Sequence, residues 1–302
     1  MLWNIILEGE TMFTLKNAEL EIEISTHGAE LKRVVKNAVD YLWNGDPAFW
    51  GRTSPVLFPI VGSVAKGKYF VDGEVFELPQ HGFARDMDFE LESHEDNEIW
   101  FKLLATDETR KKYPFEFELR IGYELVGNTV VVKWEVLNNG DKLMPFSIGA
   151  HPAFMAEPEL DDYSLQIMGS NKGIATRLLD KGRGHVEIVD EEVEIINGLP
   201  FLPLNKDFFI EHPTLVLENE NDILLRSYSH DREVEVSFAG FPYVGIWAPI
   251  NEAGNVAPFV CIEPWYGIAD TTAEPGELVD KVGIQTLASK EKFIASYSMT
   301  FR

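Results

Sequence analysis

The 302-residue sequence has one cysteine, Cys261, and no uncharged apolar run that approaches the length of a membrane span. The first shortage excludes an internal disulfide framework and most cysteine-based metal sites. The second excludes a transmembrane helix. Basic residues are also scarce, with 26 lysines and arginines against 50 aspartates and glutamates and a formal net charge of -24. So anionic a surface disfavours nucleic acid and anionic membranes as partners, and it bears weakly against anionic substrates, which a local arginine cluster can still attract. There is no Walker loop, no dinucleotide fingerprint and no Gly-x-Ser-x-Gly elbow, so phosphate-loop, dinucleotide and serine-hydrolase chemistries lack support. Residues 1–10 are apolar but lack a basic region and a small-residue cleavage site. No signal peptide is read, and a cytoplasmic protein is expected.

What the chain does have is many short strands. Leu20-Glu-Ile-Glu-Ile24 alternates with period two, and in residues 130–136 the side chains of Val130, Val132, Trp134 and Val136 share one face. Asp72-Gly73 separates two β-rich runs as a hairpin signal, and Val126-Gly127-Asn128 does the same between two longer ones. Further strands are predicted over residues 163–167, 215–217, 223–226, 233–238, 244–247, 259–262 and 293–301. Helical candidates are short: residues 106–112, opened by a Thr106 to Thr109 turn that resembles a capping box, and residues 47–51. This pattern predicts an all-β fold, a sandwich or barrel of antiparallel sheets. With no repeat and no linker, residues 12–302 read as a single domain, and residues 1–11 as an N-terminal extension, because Met12 opens a clean strand pattern. Residues 171–204, rich in Gly, Asp and Glu, read as an insertion with irregular edge strands.

Two titratable groups stand out because a proline follows each. In Cys261-Ile-Glu-Pro-Trp265 an apolar run delivers Glu263 among aromatic residues, and in Gly149-Ala-His-Pro-Ala-Phe154 His151 sits among small and apolar ones. Proline confines the preceding residue to extended backbone and so fixes the direction of its side chain. A carboxylate among apolar groups loses hydration, so its pKa rises unless donors hold it ionised. One acid-capable and one base-capable group, both fixed, make the smallest general acid/base pair.

Other candidates are weaker alone. Arg52 and Arg85 offer planar forks of donors to hydroxyls or phosphate, although an isolated arginine is usually a surface or salt-bridged residue. His81, between a Pro-Gln step and Gly82, sits where backbone can approach a ligand. The remaining histidines lie among charged loop residues. Trp247, Trp265 and Tyr266 fit either a core or a sugar-stacking face. Cys261, within Phe-Val-Cys-Ile, reads as a small buried hydrophobe. Two histidines and a glutamate match the ligand types of a catalytic zinc site, but no pair has the i, i+4 spacing of a helix-borne one, and no metal is expected.

Taken in order, Arg52 with Ser54-Pro-Val-Leu-Phe-Pro-Ile, Gln80-His-Gly-Phe-Ala-Arg85, Gly149-Ala-His-Pro-Ala-Phe154, Gly245-Ile-Trp247 and Cys261-Ile-Glu-Pro-Trp265 resemble the aldose 1-epimerase (galactose mutarotase) family, and within it the bacterial LacX-type branch. The resemblance runs from about residue 12 to the C-terminus. It implies a galactose mutarotase-like β-supersandwich of antiparallel sheets with the sugar site in an open cleft, and a cofactor-free isomerase acting on a small sugar as a monomer or homodimer. It further implies that Glu263 takes the proton of the anomeric hydroxyl while His151 protonates the ring oxygen, with Arg52, His81, Arg85 and Trp247 around the substrate. One stretch departs from the pattern: in Ile210-Glu-His-Pro-Thr-Leu-Val-Leu217 a proline, Pro213, stands where a sugar-binding Asp is expected. Either Glu211 serves in its place or the contact is lost. A hexose-6-phosphate mutarotase is the alternative that Arg52 and Arg85 would suit. A carbohydrate-binding protein without turnover would not require both His151 and Glu263.

Overall fold

The structure is a computed structural model and describes residues 6–7, 10–168, 177–179, 186–187, 201–211 and 214–302. Among these residues the strands pair antiparallel throughout and form two large sheets. In spatial order the nine-stranded sheet runs Phe201–Pro203, Tyr163–Ile167, Asp222–Ser227, Glu233–Ser237, Lys292–Phe301, Thr129–Asn138, Phe117–Val126, Glu98–Leu104 and Glu90–His94. Thr129–Asn138 alternates half-buried and buried residues along its whole length, which is the signature of a sheet with one face on the core and one toward water. Ile6–Leu7, Glu10–Lys16, Glu21–Ser25, Leu31–Lys36 and Val39–Asp40 form a separate five-stranded sheet.

The second large sheet positions the chemistry. Its order is Val186–Glu187, Arg177–Leu179, Thr214–Glu218, Tyr243–Trp247, Phe259–Tyr266, Ile148–Ala150 and Val56–Leu57, with Ala153–Met155 also paired to Phe259–Tyr266. Phe259–Tyr266 is buried almost from end to end, as befits a central strand. Its Val260 and Ile262 join one apolar core with Val132, Val136, Val234 and Met299 of the nine-stranded sheet. Period-two alternation then turns Phe259, Cys261, Glu263 and Trp265 to the opposite face. There, Cys261 and Phe259 pack with Trp43 and Trp50, and Trp265 packs with Leu57 and Val216.

The hairpin at Asp72-Gly73 forms as expected between Lys68–Val71 and Glu74–Glu77, and both turn residues have positive φ. Asp107–Arg110 is a helix capped by Thr106, and Thr109 supplies the reciprocal bond that a glutamate usually makes. Residues 47–51 are not helical. Asp46 Oδ1 accepts the Ala48 N–H at 2.8 Å and its carbonyl takes those of Phe49 and Trp50, so the segment closes as a single side-chain-capped turn. A helix that the sequence reading omitted, Lys206–Glu211, follows Asn205, whose side chain accepts the Phe208 N–H at 2.9 Å. The strand that contains Met12 begins at Glu10 and pairs with Ile6–Leu7. The reading of residues 171–204 as an insertion falls largely outside the described residues.

Candidate functional site

His151 and Glu263 face each other across one ladder. Gly149 lies opposite Trp265 and Ala153 opposite Cys261, so the same register holds on either side of the His151-Pro152 step, where the strand pairing pauses, and sets His151 against Glu263. Directly opposed residues share a face and come within side-chain contact. Accordingly, His151 Nε2 lies 3.1 Å from Glu263 Oε2. On the other side of Phe259–Tyr266, Gly245 is opposite Glu263 and Trp247 opposite Cys261. The two glycines give Trp265 its place: a Cβ on Gly149 would come within 2.5 Å of the indole, and one on Gly245 within 2.4 Å. The indole therefore lies flat on the sheet beside Glu263.

Aromatic residues wall the pair. Trp50 stacks on the His151 ring at 4.6 Å between centroids, and Trp247 meets the same ring edge-on at 5.5 Å. The Trp43 indole N–H donates to the Trp50 carbonyl at 2.8 Å, which ties down the turn that carries Trp50. His81 approaches from a third segment, its ring centroid 5.7 Å from that of His151. The His81 N–H donates to the Gly62 carbonyl at 2.7 Å, and the Gly62 N–H donates to His81 Nδ1 at 3.1 Å. With Nδ1 accepting, the ring proton of neutral His81 is on Nε2, which becomes a donor. His81 itself has positive φ, and Gly82 after it can carry no Cβ, which would fall 2.2 Å from the Phe58 carbonyl oxygen.

The two arginines stand behind the histidines. Arg52 Nη2 donates to Asp86 Oδ1 at 2.6 Å, and Arg85 Nη2 donates to the Gln80 carbonyl at 2.7 Å. Buried Glu30 accepts the N–H groups of Thr53 and Ser54 at 2.7 and 2.8 Å and so holds the segment after Arg52. Asp86 and Asp88, the acidic residues next to Arg85 in sequence, have their closest partners on other side chains. Asp86 pairs closely with Arg52 and stays 3.9 Å from Arg85, whose Nε has no hydrogen-bond partner, while Asp88 pairs with His27.

Electrostatics follow from burial. Loss of hydration pushes the Glu263 carboxyl well above the usual carboxylate range. The Trp265 indole opposes that rise, yet its N–H makes no hydrogen bond of ordinary geometry, so it acts as a nearby dipole. Burial, then the positive charge of Arg85, lowers His151 to about 3. Burial, followed by His151 and the arginines, holds His81 well below its ordinary value. Arg85 itself falls to about 10, chiefly through burial and next through Arg52. Burial thus favours the uncharged form of the His151–Glu263 pair over the ion pair.

The structure brings together His151, Glu263, His81, Arg52, Arg85 and Trp247, which the sequence reading had named as site candidates. Glu211 closes the helix Lys206–Glu211, and its side chain, like Pro213, lies outside the described residues. Trp50 and Glu30 were not foreseen. Nor was the position of Cys261, which is buried as expected but whose thiol gathers with His151 and Glu263. Two residues before Glu263 on a strand, it could have been placed on the same face from spacing alone.

The chain is similar to several known proteins. Protein LacX of Lactococcus lactis subsp. lactis is 29% identical over 307 aligned positions, which cover 95% of this chain and 98% of the relative. The solved structure of a galactose mutarotase related enzyme from Lactobacillus acidophilus superposes with a TM-score of 0.88 at 33% identity, covering 96% of this chain and 97% of that one. A galactose mutarotase-like protein from Lactobacillus casei ATCC 334 gives 0.89 at 31% identity, covering 96% and 100%. The all-β architecture is that of the galactose mutarotase-like folds. Since the family model described as aldose 1-epimerase matches residues 11–284, nearly the whole two-sheet body and both members of the opposed pair, the chain belongs to the aldose 1-epimerase family.

Proposed function

We propose that this protein is a mutarotase that interconverts the α and β anomers of a free hexose by opening the pyranose ring and reclosing it on the other face. The observation that carries this reading is the cross-strand pair, buried and walled by indoles, with His151 Nε2 3.1 Å from Glu263 Oε2. Family membership supports isomerase chemistry on a sugar. Binding alone would not call for two opposed titratable groups isolated from water.

The chemistry needs one proton on the pair. In the form that acts on the ring, Glu263 is a carboxylate and His151 an imidazolium. Glu263 takes the proton of the C1 hydroxyl, the C1–O5 bond breaks as C1=O forms, and His151 gives its proton to O5. This leaves a neutral carboxyl, a neutral imidazole and the open-chain aldehyde. After rotation about C1–C2 the transfers reverse: O5 attacks C1 while giving its proton to His151, and Glu263 returns a proton to O1. The uncharged pair that burial favours is the partner of the open-chain sugar, so desolvation drives the ring-opening direction. The Nε2 donor of His81 and the Arg52 fork orient sugar oxygens, and hydrogen bonds from the bound sugar stabilise the charged form of the pair.

The test is anomer exchange followed by NMR over a panel of hexoses. His151→Asn and Glu263→Gln should each slow exchange by about 100-fold or more. The double variant should fall well short of the product, because the groups act as a unit. Near-wild-type exchange in either folded single variant would remove that residue from the mechanism.

A further inference from the structure

Cys261 has no part in the mutarotase chemistry, yet it is placed within it. The ligating atoms of His151, Cys261 and Glu263 all lie within 4.8 Å of one another, and each residue is buried. Bonds of about 2.0–2.3 Å to a four-coordinate zinc ion require ligands roughly 3.3–3.8 Å apart, so small side-chain adjustments would bring the three together. His151 Nδ1 has no hydrogen-bond partner, and Glu263 Oε2 has only its 3.1 Å contact with His151 Nε2, on side chains 9% and 2% exposed. Buried polar atoms are normally satisfied, and an unsatisfied one calls for an occupant. One imidazole nitrogen, one sulfur and one carboxylate oxygen, with a fourth corner left for water, form the donor set of an open zinc site. Magnesium and calcium, which take oxygen ligands, do not match it.

We propose that His151, Cys261 and Glu263 form an inhibitory site for a soft divalent cation, Zn²⁺ or the chemically similar Cd²⁺, which excludes sugar turnover by occupying the acid/base pair. The inhibitory part rests on the mutarotase reading, but the binding part does not. Binding involves no redox step: the Cys261 thiol proton and the Glu263 carboxyl proton pass to solvent, and the cation forms bonds to Sγ, a carboxylate oxygen and an imidazole nitrogen. Metal-free protein is the active form, so a chelator restores exchange rather than abolishing it.

The experiment titrates metal-stripped full-length protein with Cd²⁺ and reads the ultraviolet thiolate-to-cadmium charge-transfer band, which Cys261, as the single cysteine, alone can produce. One equivalent should saturate the band in wild type, and Cys261→Ala should lack it. In parallel, Zn²⁺ should inhibit exchange competitively with sugar while Mg²⁺ does not. Cys261→Ala and Cys261→Ser should retain metal-free exchange within about twofold and require at least tenfold more Zn²⁺, since even outer partners of a metal ligand are worth about 10–100-fold in affinity. Absence of the band from wild type overturns the site without needing any variant. Equal Zn²⁺ inhibition in wild type and the cysteine variants overturns it as well. A stoichiometric band in a protein with no exchange on any sugar would retain the site and reject the mutarotase reading.

Discussion

Trp50 lies against His151 with ring centroids 4.6 Å apart and planes 28° from parallel. The indole covers one face of the imidazole, fixes its rotation toward Glu263 and keeps water from that side. Trp50→Ala should lower kcat by about 10- to 100-fold, the scale expected for misplacing a catalytic group by about 1 Å, with a smaller change in KM. Trp50→Phe should recover most of the loss. Unchanged kcat in Trp50→Ala would show that the stacking is packing alone.

The one-proton pair sets the pH profile. His151, held near 3, does not titrate at the ordinary histidine value, so kcat/KM should show no acid limb near pH 6.5. Activity should instead decline on the alkaline side as Glu263, raised by burial, releases the proton of the pair. A limb near 6.5 that disappears in His151→Asn would contradict this assignment.

Substrate charge depends on Arg85. Ionic screening limits the repulsion of a -24 chain to about 8 Å at physiological salt, so local groups decide. Arg52 is paired with Asp86, and Arg85 donates through Nη2 to the Gln80 carbonyl while its Nε lies 3.9 Å from Asp86. Tight phosphate sites combine several donors. Free glucose or galactose should therefore give higher kcat/KM than the matching 6-phosphates, with inorganic phosphate a poor competitor. A strong preference for the phosphate that collapses in Arg85→Ala would reassign the substrate.

Lys281 offers a test of stability away from the site. It is buried beside a cavity of about 140 Å³, its ammonium 3.4 Å from Asp270, and burial lowers it to about 8 despite that partner. A lysine with a depressed folded pKa costs stability fully below that value and is relieved as pH rises toward its unfolded value near 10.4. The relief amounts to about 3 kcal/mol at 1.36 kcal/mol per unit. Denaturant unfolding from pH 7.5 to 10 should show stability rising in wild type relative to Lys281→Met. Parallel curves would refute the buried-charge account.

Local rules were enough to read much of this from sequence. Asp72-Gly73 demands left-handed backbone, and Thr106 with Thr109 satisfies a helix start wherever the chain folds, so both were visible in a few residues. His151 and Glu263 were found because each proline fixes its neighbour, although their opposition depends on a strand register that no local pattern encodes. Trp50 was beyond reach for the same reason: its contact with His151 joins a loop to a strand far along the chain. The short helix after Asn205 was overlooked because the segment around it is rich in turn formers, and the capping asparagine was the one signal of a start.

The indole of Trp265, laid across Gly149 and Gly245, makes Glu263 sensitive to changes that touch no chemistry. One methyl group at Gly245 would sit 2.4 Å from the ring, about 1 Å inside ordinary contact, so the ring would have to lift and carry its neighbourhood with it. Three positions on three different strands are thereby tied into a single heritable unit: either glycine can drift only if the tryptophan shrinks in step. A relative that keeps His151 and Glu263 but fills one of these glycines would preserve both titratable groups while losing the floor that levels them.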